Sequence, residues 1–272
     1  MSSRPEPGPD SGRDVEHEAV IRQTFGTIDK WRAIPGPFIP GSGSELKGDD
    51  WDWPPCGVSQ VAWTGLTVAV EHLQAVRTHI DVQPPNHANL FVFAHQTLAR
   101  SALVGASMAV WVLASDARST RVERARSAVT YMQDEHAKYL RALQDLAQHD
   151  RTDAVAAHVN QRQAELKAKR QRDGQVARFE TTKMIREAAL DAFKSRDLAN
   201  EVVAAWRSGS GAAHGLPFPV FGRPGMVQAG PGDSDGVATF VVSGEFSQFS
   251  NAYMAAFKLA TIGWELLFRR GQ

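Results

Sequence analysis

Apolar positions recur along this chain at steps of three and four over most of its length, the spacing of amphipathic helices. From Val58 onward, Val61, Val68, Leu73, Val76 and Ile80 fall near one face until DVQPPN interrupts the pattern, which predicts a first long helix. Residues 90–114 are apolar around most of the circumference and predict a central helix enclosed by neighbours. Val122, Ala125, Val129, Met132, His136, Leu140, Leu143 and Leu146 then trace a long amphipathic helix, with Arg121, Glu123, Arg124 and Asp134 on other faces. Residues 151–172 keep only a thin seam of Val155, Val159 and Leu166 among Arg162, Lys167, Lys169, Arg170 and Arg172, which predicts an arm reaching toward solvent. One helix or a broken pair follows from Thr181 to Trp206, ending at a Ser/Gly cluster. Strand character is confined to a Pro/Gly-rich stretch between 216 and 244, where the β-branched run Val237 to Val242 predicts a small hairpin. Phe246, Phe249, Tyr253, Phe257, Ala260, Trp264 and Leu267 mark the last helix, whose aromatic stripe is a core face or a subunit interface.

The pattern therefore predicts an all-α fold: a multi-helix bundle with a small β-hairpin or irregular insertion before the C-terminal helix. Residues 1–57 read as a Pro/Gly-rich segment, partly disordered, with a helix of about three turns in HEAVIRQTFGTIDKW and no fixed contacts for the first dozen residues. Residues 58–272 read as a single helical-bundle domain.

Composition narrows the function classes. A chain of 272 residues with 30 basic and 30 acidic side chains carries no net charge, so no global field draws it to nucleic acid or an anionic membrane. The single cysteine, Cys56, excludes an intramolecular disulfide and a multi-cysteine zinc framework. The opening MSSRPEPGPDSGRD lacks the apolar core of a signal peptide, and SALVGASMAVWVLA is too short to span a bilayer. The expectation is a cytoplasmic protein without a membrane association. P-loop, GxGxxG, GxSxG and HExxH motifs are absent, and no cofactor or metal is expected.

The sharpest candidate chemistry is WRSGSGAAHG, which sets Arg207 and His214 at the ends of six Ser, Gly or Ala residues. Arginine can stabilise charge on a phosphoryl transition state and histidine can move a proton near neutral pH, so the pair could cleave RNA without a metal. The same stretch also reads as a glycine-rich helix terminus. Arg100, inside the apolar central helix, must find an acceptor; it is a candidate phosphate-binding residue or half of a buried pair with Glu71 or Glu135. His95 and His136, on predicted inner faces, could share a metal but read better as hydrogen-bonded core histidines, and the same holds for His72 and His79. The basic arm from Arg162 to Arg172 is a candidate contact for RNA phosphates or simply a solvated face. No DNA-specific motif is present.

LKGDDWDWPP at 46–55, VSQVAWTGLTVAVEHLQAVR at 58–77, HQTLARSALVGASMAVWVLA at 95–114 with the following SDARSTRVERAR, and WRSGSGAAHG at 206–215 together resemble an uncharacterised actinobacterial family of all-helical proteins. The likeness covers most of the chain from residue 46 and implies a helical fold and a cytoplasmic setting. More remotely, the Arg207 to His214 spacing resembles the motif of HEPN domains, the helical ribonucleases of toxin and abortive-infection systems. That resemblance implies a homodimer acting on RNA, with His214 as acid/base, Arg207 stabilising the phosphorane, and Arg100 and Ser208 binding substrate. The resembling family carries an acidic residue four positions after the central arginine; Val104 stands there in this chain. Two functions follow as expectations: a binding or interaction module in a stress or defence setting, and a metal-independent endoribonuclease.

Overall fold

The computed structural model describes residues 11–82, 88–146, 150–175, 177–223 and 225–272. The expectation for the first dozen residues falls mostly on 1–10, outside the described residues, while Ser11 and Gly12 open α1 (Ser11–Arg22). The single helix foreseen in HEAVIRQTFGTIDKW is two, α1 and α2 (Phe25–Arg32), because Thr24 turns the chain: its hydroxyl donates to the Ile21 carbonyl at 2.7 Å. With that proton committed, Tyr253 donates its own hydroxyl to Thr24 across 2.8 Å. Burial pushes the Tyr253 phenol up to about 12. Ile21, Ile28 and Leu46 are fully buried in the same core as the long helices, Leu46 arriving on the short helix α3 (Glu45–Asp50), which Ser44 caps by accepting from the Lys47 N–H.

The bundle proper follows in chain order: α4 (Val58–Ile80), α5 (Ala94–Leu113), α6 (Arg118–Leu146), α7 (Asp150–Arg172), α8 (Thr181–Phe193), α9 (Arg196–Ala213) and α10 (Ser250–Gly271). Helix α5 is the central one, buried along nearly its whole length as its all-round apolar character predicts, with α4, α6, α8, α9 and α10 packed around it. It crosses α4 with the backbones in contact: a Cβ on Gly65 would lie 2.5 Å from the Gly105 carbonyl oxygen. Only glycine at both positions permits that approach. The aromatic stripe of α10 resolves to core, with Tyr253, Ala260 and Leu267 fully buried.

The arm is held more firmly than its composition suggests. Helix α7 lies along α6, with Leu166 fully buried in the main core and Ala156 and Val159 joining Ala137 and Leu140 in a second, smaller cluster. Between α8 and α9 the chain breaks at Lys194, whose φ of 54° is left-handed, and Ser195 restarts the helix by accepting from the Leu198 N–H. The hairpin foreseen before the last helix is present: β1 (Met226–Gln228) pairs antiparallel with β2 (Phe240–Val242), Val227 opposite Val241. Among the described residues, no helix is long and apolar enough to cross a membrane.

Candidate functional site

Helix α9 does not end at the Ser/Gly cluster, as the sequence reading expected, but runs through it to Ala213. The glycines there serve packing. A Cβ on Gly209 would lie 2.5 Å from Cβ of Arg100 and 2.8 Å from the Gln96 carbonyl, and one on Gly211 would collide with the Phe218 ring and lie 2.8 Å from Pro219. Bare backbone lets α9 rest on α5 and lets the 218–220 turn fold back over it. The helix stops at His214 in a Schellman arrangement: Gly215 takes φ 68°, and the Leu216 N–H donates to the Gly211 carbonyl at 2.9 Å.

Arg207 and His214 are exposed and lie seven residues apart, about two helical turns, so they share one face of α9. Among the described residues neither has an ion-pair partner. The opposite face carries a cavity. Leu198, Val202, Ala205 and Gly209 recur at helical spacing along its wall, and the Arg207–His214 face lies roughly 150° around the helix from that strip. The structure thus keeps the two sequence candidates together on one surface but separates them from the nearest enclosed space.

That cavity, of about 420 Å³, lies between α9 and the start of α10, with Phe193 of α8 and Gln96 of α5 also in its lining. Such a volume is in the usual range of small-molecule sites. Its apolar wall comes from Phe193, Val202, Phe249, Ala252, Met254 and Ala255, and Gln248, just before α10, and Asn251, at its start, add polar groups to those of Ser208, Gln96 and Arg223. Ser208, one of the two predicted substrate-binding residues, lines it and anchors a chain of hydrogen bonds. Arg223 donates through Nη2 to the Ser208 hydroxyl at 3.3 Å, the hydroxyl donates to Oε1 of Gln96 at 3.2 Å, and the Gln96 amide donates to the Val92 carbonyl at 2.9 Å. Glu201 and Lys258 stand exposed on the rim.

Arg100, the other predicted substrate-binding residue, passes beneath Gly209 and does not line the cavity. Its Nε donates to the Ser210 hydroxyl at 3.0 Å, and among the described residues no carboxylate pairs with it. The expected partners fail on geometry: Glu135 sits on α6 with Lys138, and Glu71 does not reach. A half-buried guanidinium at the seam of α5 and α9 thus donates to a hydroxyl where the sequence reading foresees a carboxylate.

Of the histidines expected to be hydrogen-bonded in the core, His95 and His79 fit that reading, whereas His136 is exposed because its position on α6 faces away from the bundle. His95, fully buried, meets His79 of α4, its Nε2 3.2 Å from His79 Nδ1, and stacks on Phe249 with ring centres 4.9 Å apart. The Phe91 N–H donates to His95 Nδ1 at 3.0 Å, so the ring proton sits on Nε2 and points at His79. Burial, then the neighbouring imidazole, brings His95 down to about 4. His136 is remote from it, in a cleft with His158 of α7, and His72 bonds the Val68 carbonyl of its own helix. Among the described residues no group of three or more His, Cys, Asp or Glu is placed to hold a metal.

The basic arm is bound from within. Arg162 pairs with Glu165 at 3.0 Å, Lys167 with Asp134 at 2.8 Å and Lys169 with Asp52 at 3.6 Å, while Arg170 donates to the Ala177 carbonyl. Sequence reasoning missed Arg223 and Gln96 altogether. Arg223 sits in FGRPG, where Pro/Gly texture gives no periodicity to aim a side chain, and Gln96 looks like any polar residue near a helix start. No family model, curated protein or solved structure matches the chain.

Proposed function

We propose that this protein is a binding module whose ligand is a small molecule held between α5, α9 and α10. One observation carries the reading: a cavity of about 420 Å³ whose lining is more apolar than polar and in which Arg223, Ser208 and Gln96 are joined by hydrogen bonds. Apolar walls supply affinity and convergent polar groups supply orientation, the usual division of labour in a small-molecule site. A titration with small aromatic fragments followed by protein NMR tests it. Shifts should cluster on Phe193, Val202, Phe249 and Met254, and shifts scattered over the surface would remove the reading.

A second reading is favoured by the common face of Arg207 and His214. On it the protein is a metal-independent endoribonuclease that works as a dimer, with His214 moving the proton of the attacking 2′-hydroxyl and Arg207 stabilising the phosphorane. Cleavage of single-stranded RNA that persists in EDTA and is lost in His214→Ala is its test.

A further inference from the structure

The charge around the cavity points to the kind of molecule it takes. Most arginines that are buried or half-buried in this fold hold a carboxylate: Arg22 with Glu18, Arg77 with Asp29, Arg121 with Asp49, Arg124 with Asp191, Arg126 with Asp52 and Arg270 with Asp116. Arg170 instead donates to the Ala177 carbonyl, and the two at the α5–α9 seam hold no carboxylate either. Arg223 and Arg100 hold serine hydroxyls, Ser208 and Ser210, and among the described residues neither has a carboxylate within ion-pair distance. A guanidinium has five N–H donors in a planar fork, and among the described contacts Arg223 uses one of them. Lys258 adds a second positive charge to the lining and Glu201 the only negative one, leaving the cavity mouth with a net charge of +1 before Arg100 is counted. The apolar walls include Phe193, Val202, Phe249 and Met254.

We propose that the cavity takes an amphipathic anion: an apolar body lying among Phe193, Val202, Phe249 and Met254, and an acidic head, carboxylate, sulfonate or phosphate, read by Arg223 with Ser208. The inference rests on the cavity reading above and deepens it. The Ser208–Gln96 relay fixes one edge of the guanidinium and leaves the rest of the fork for a bidentate acid. The same relay ends on the Val92 carbonyl, in the turn that leads into α5, while Arg100 is held apart by Ser210 and does not compete for the ligand. A neutral ligand of the same shape would gain the walls and leave the guanidinium unanswered.

Two dyes differing in one group test this: anilinonaphthalene sulfonate and N-phenylnaphthylamine, which lacks only the sulfonate. Titrated by fluorescence against the full chain, the sulfonate should bind about tenfold tighter, as one charge-assisted contact implies. Arg223→Gln should bring the two to parity, and Ala205→Trp, which fills the cavity, should remove both. Decanoate should displace the sulfonate where decanol does not, a comparison made on the unmodified protein and therefore independent of whether Ala205→Trp folds. Equal binding of the two dyes, lost together in Ala205→Trp, would overturn the anion inference and leave the cavity reading standing. Dye binding indifferent to Ala205→Trp in a folded variant, or no binding at all, would overturn both.

Discussion

The arginines at the two ends of α5 live in opposite circumstances. Where α5 ends and α6 begins, Arg121 grips Asp49 with two hydrogen bonds of 2.7 and 3.3 Å and caps the Ser115 and Asp116 carbonyls. Arg270, from the end of α10, caps the Leu113 and Ser115 carbonyls and pairs with Asp116 and Glu45. Every donor in that cluster has somewhere to go, and α3, the α5–α6 turn and the end of α10 become one block. At the start of α5, Arg100 and Arg223 meet only hydroxyls, beside a cavity. A buried charge that is fully paired serves the fold; one that is solvated by a few neutral dipoles next to open space is placed to serve a ligand.

The comparison breaks first at the locked end. Arg121→Met leaves the buried Asp49 carboxylate with only the longer, exposed contact to Arg118 at 3.4 Å, and loss of one half of a buried pair costs about 3–5 kcal/mol. Urea unfolding should show that loss with no change in preference between the two dyes. A loss below about 1 kcal/mol would mean that Arg118 suffices for Asp49 and that the two ends are less different than their contacts suggest.

The pH response belongs to the other end. His95 titrates near 4 in the folded chain and near its ordinary 6.5 when unfolded, so between those values the unfolded chain binds the extra proton. Stability is therefore complete above about 6.5 and falls as the pH drops toward 4, by about 3 kcal/mol at most. His95→Gln keeps an acceptor for the Phe91 N–H and does not titrate, so it should flatten this slope. Because His95 stacks on Phe249 of the cavity wall, dye affinity should weaken over the same interval in the parent and not in the variant. An unchanged slope in His95→Gln would place the acid sensitivity elsewhere; Asp52, which burial raises but Arg126 holds below the ordinary carboxylate range, gives up its contribution only at lower pH, outside this interval.

Gly209→Val tests the seam itself. The added Cβ would meet Cβ of Arg100 and the Gln96 carbonyl, and overpacking of this kind costs about 1–3 kcal/mol. The variant should also lose dye selectivity, because pushing α9 from α5 separates Ser208 from Gln96. Arg100→Met removes one hydrogen bond to a hydroxyl and should cost only about 1 kcal/mol, far less than Arg121→Met.

Much of the fold could be read from periodicity because each helix carries its own apolar stripe. The enclosed character of α5 and the aromatic face of α10 were visible residue by residue. What could not be read were pairings between distant stretches. Arg121 looked like part of a solvated face, since its partner Asp49 lies 72 residues away in a segment without periodicity. WRSGSGAAHG looked like a helix stop because glycine is a poor helix former, and only the proximity of Arg100 shows why glycine is required in mid-helix. The candidate site was half legible: Ser208 came forward for its place beside Arg207, whereas Arg223 depended on how an irregular loop folds back over α9.

The smallest expected effect concerns the pair that the sequence made most conspicuous. Arg207 and His214 are exposed, and exposed substitutions away from special features move stability by about 0.5 kcal/mol or less. Arg207→Gln and His214→Ala should therefore melt like the parent and leave both dye affinities unchanged, since the pair lies on the far side of α9 from the cavity. The same two variants decide the ribonuclease reading. If the parent cleaves single-stranded RNA in EDTA to products ending in a 2′,3′-cyclic phosphate and both variants do not, chemistry resides on that outer face and the cavity is a separate device. Arg207→Lys should then fail to restore cleavage, because an ammonium lacks the planar fork that grips a phosphoryl group. The outcome expected from the geometry is that parent and variants behave alike toward RNA: a helix surface exposed on all sides does not exclude water or hold a phosphodiester in line, and the convergent polar groups of this fold face the other way.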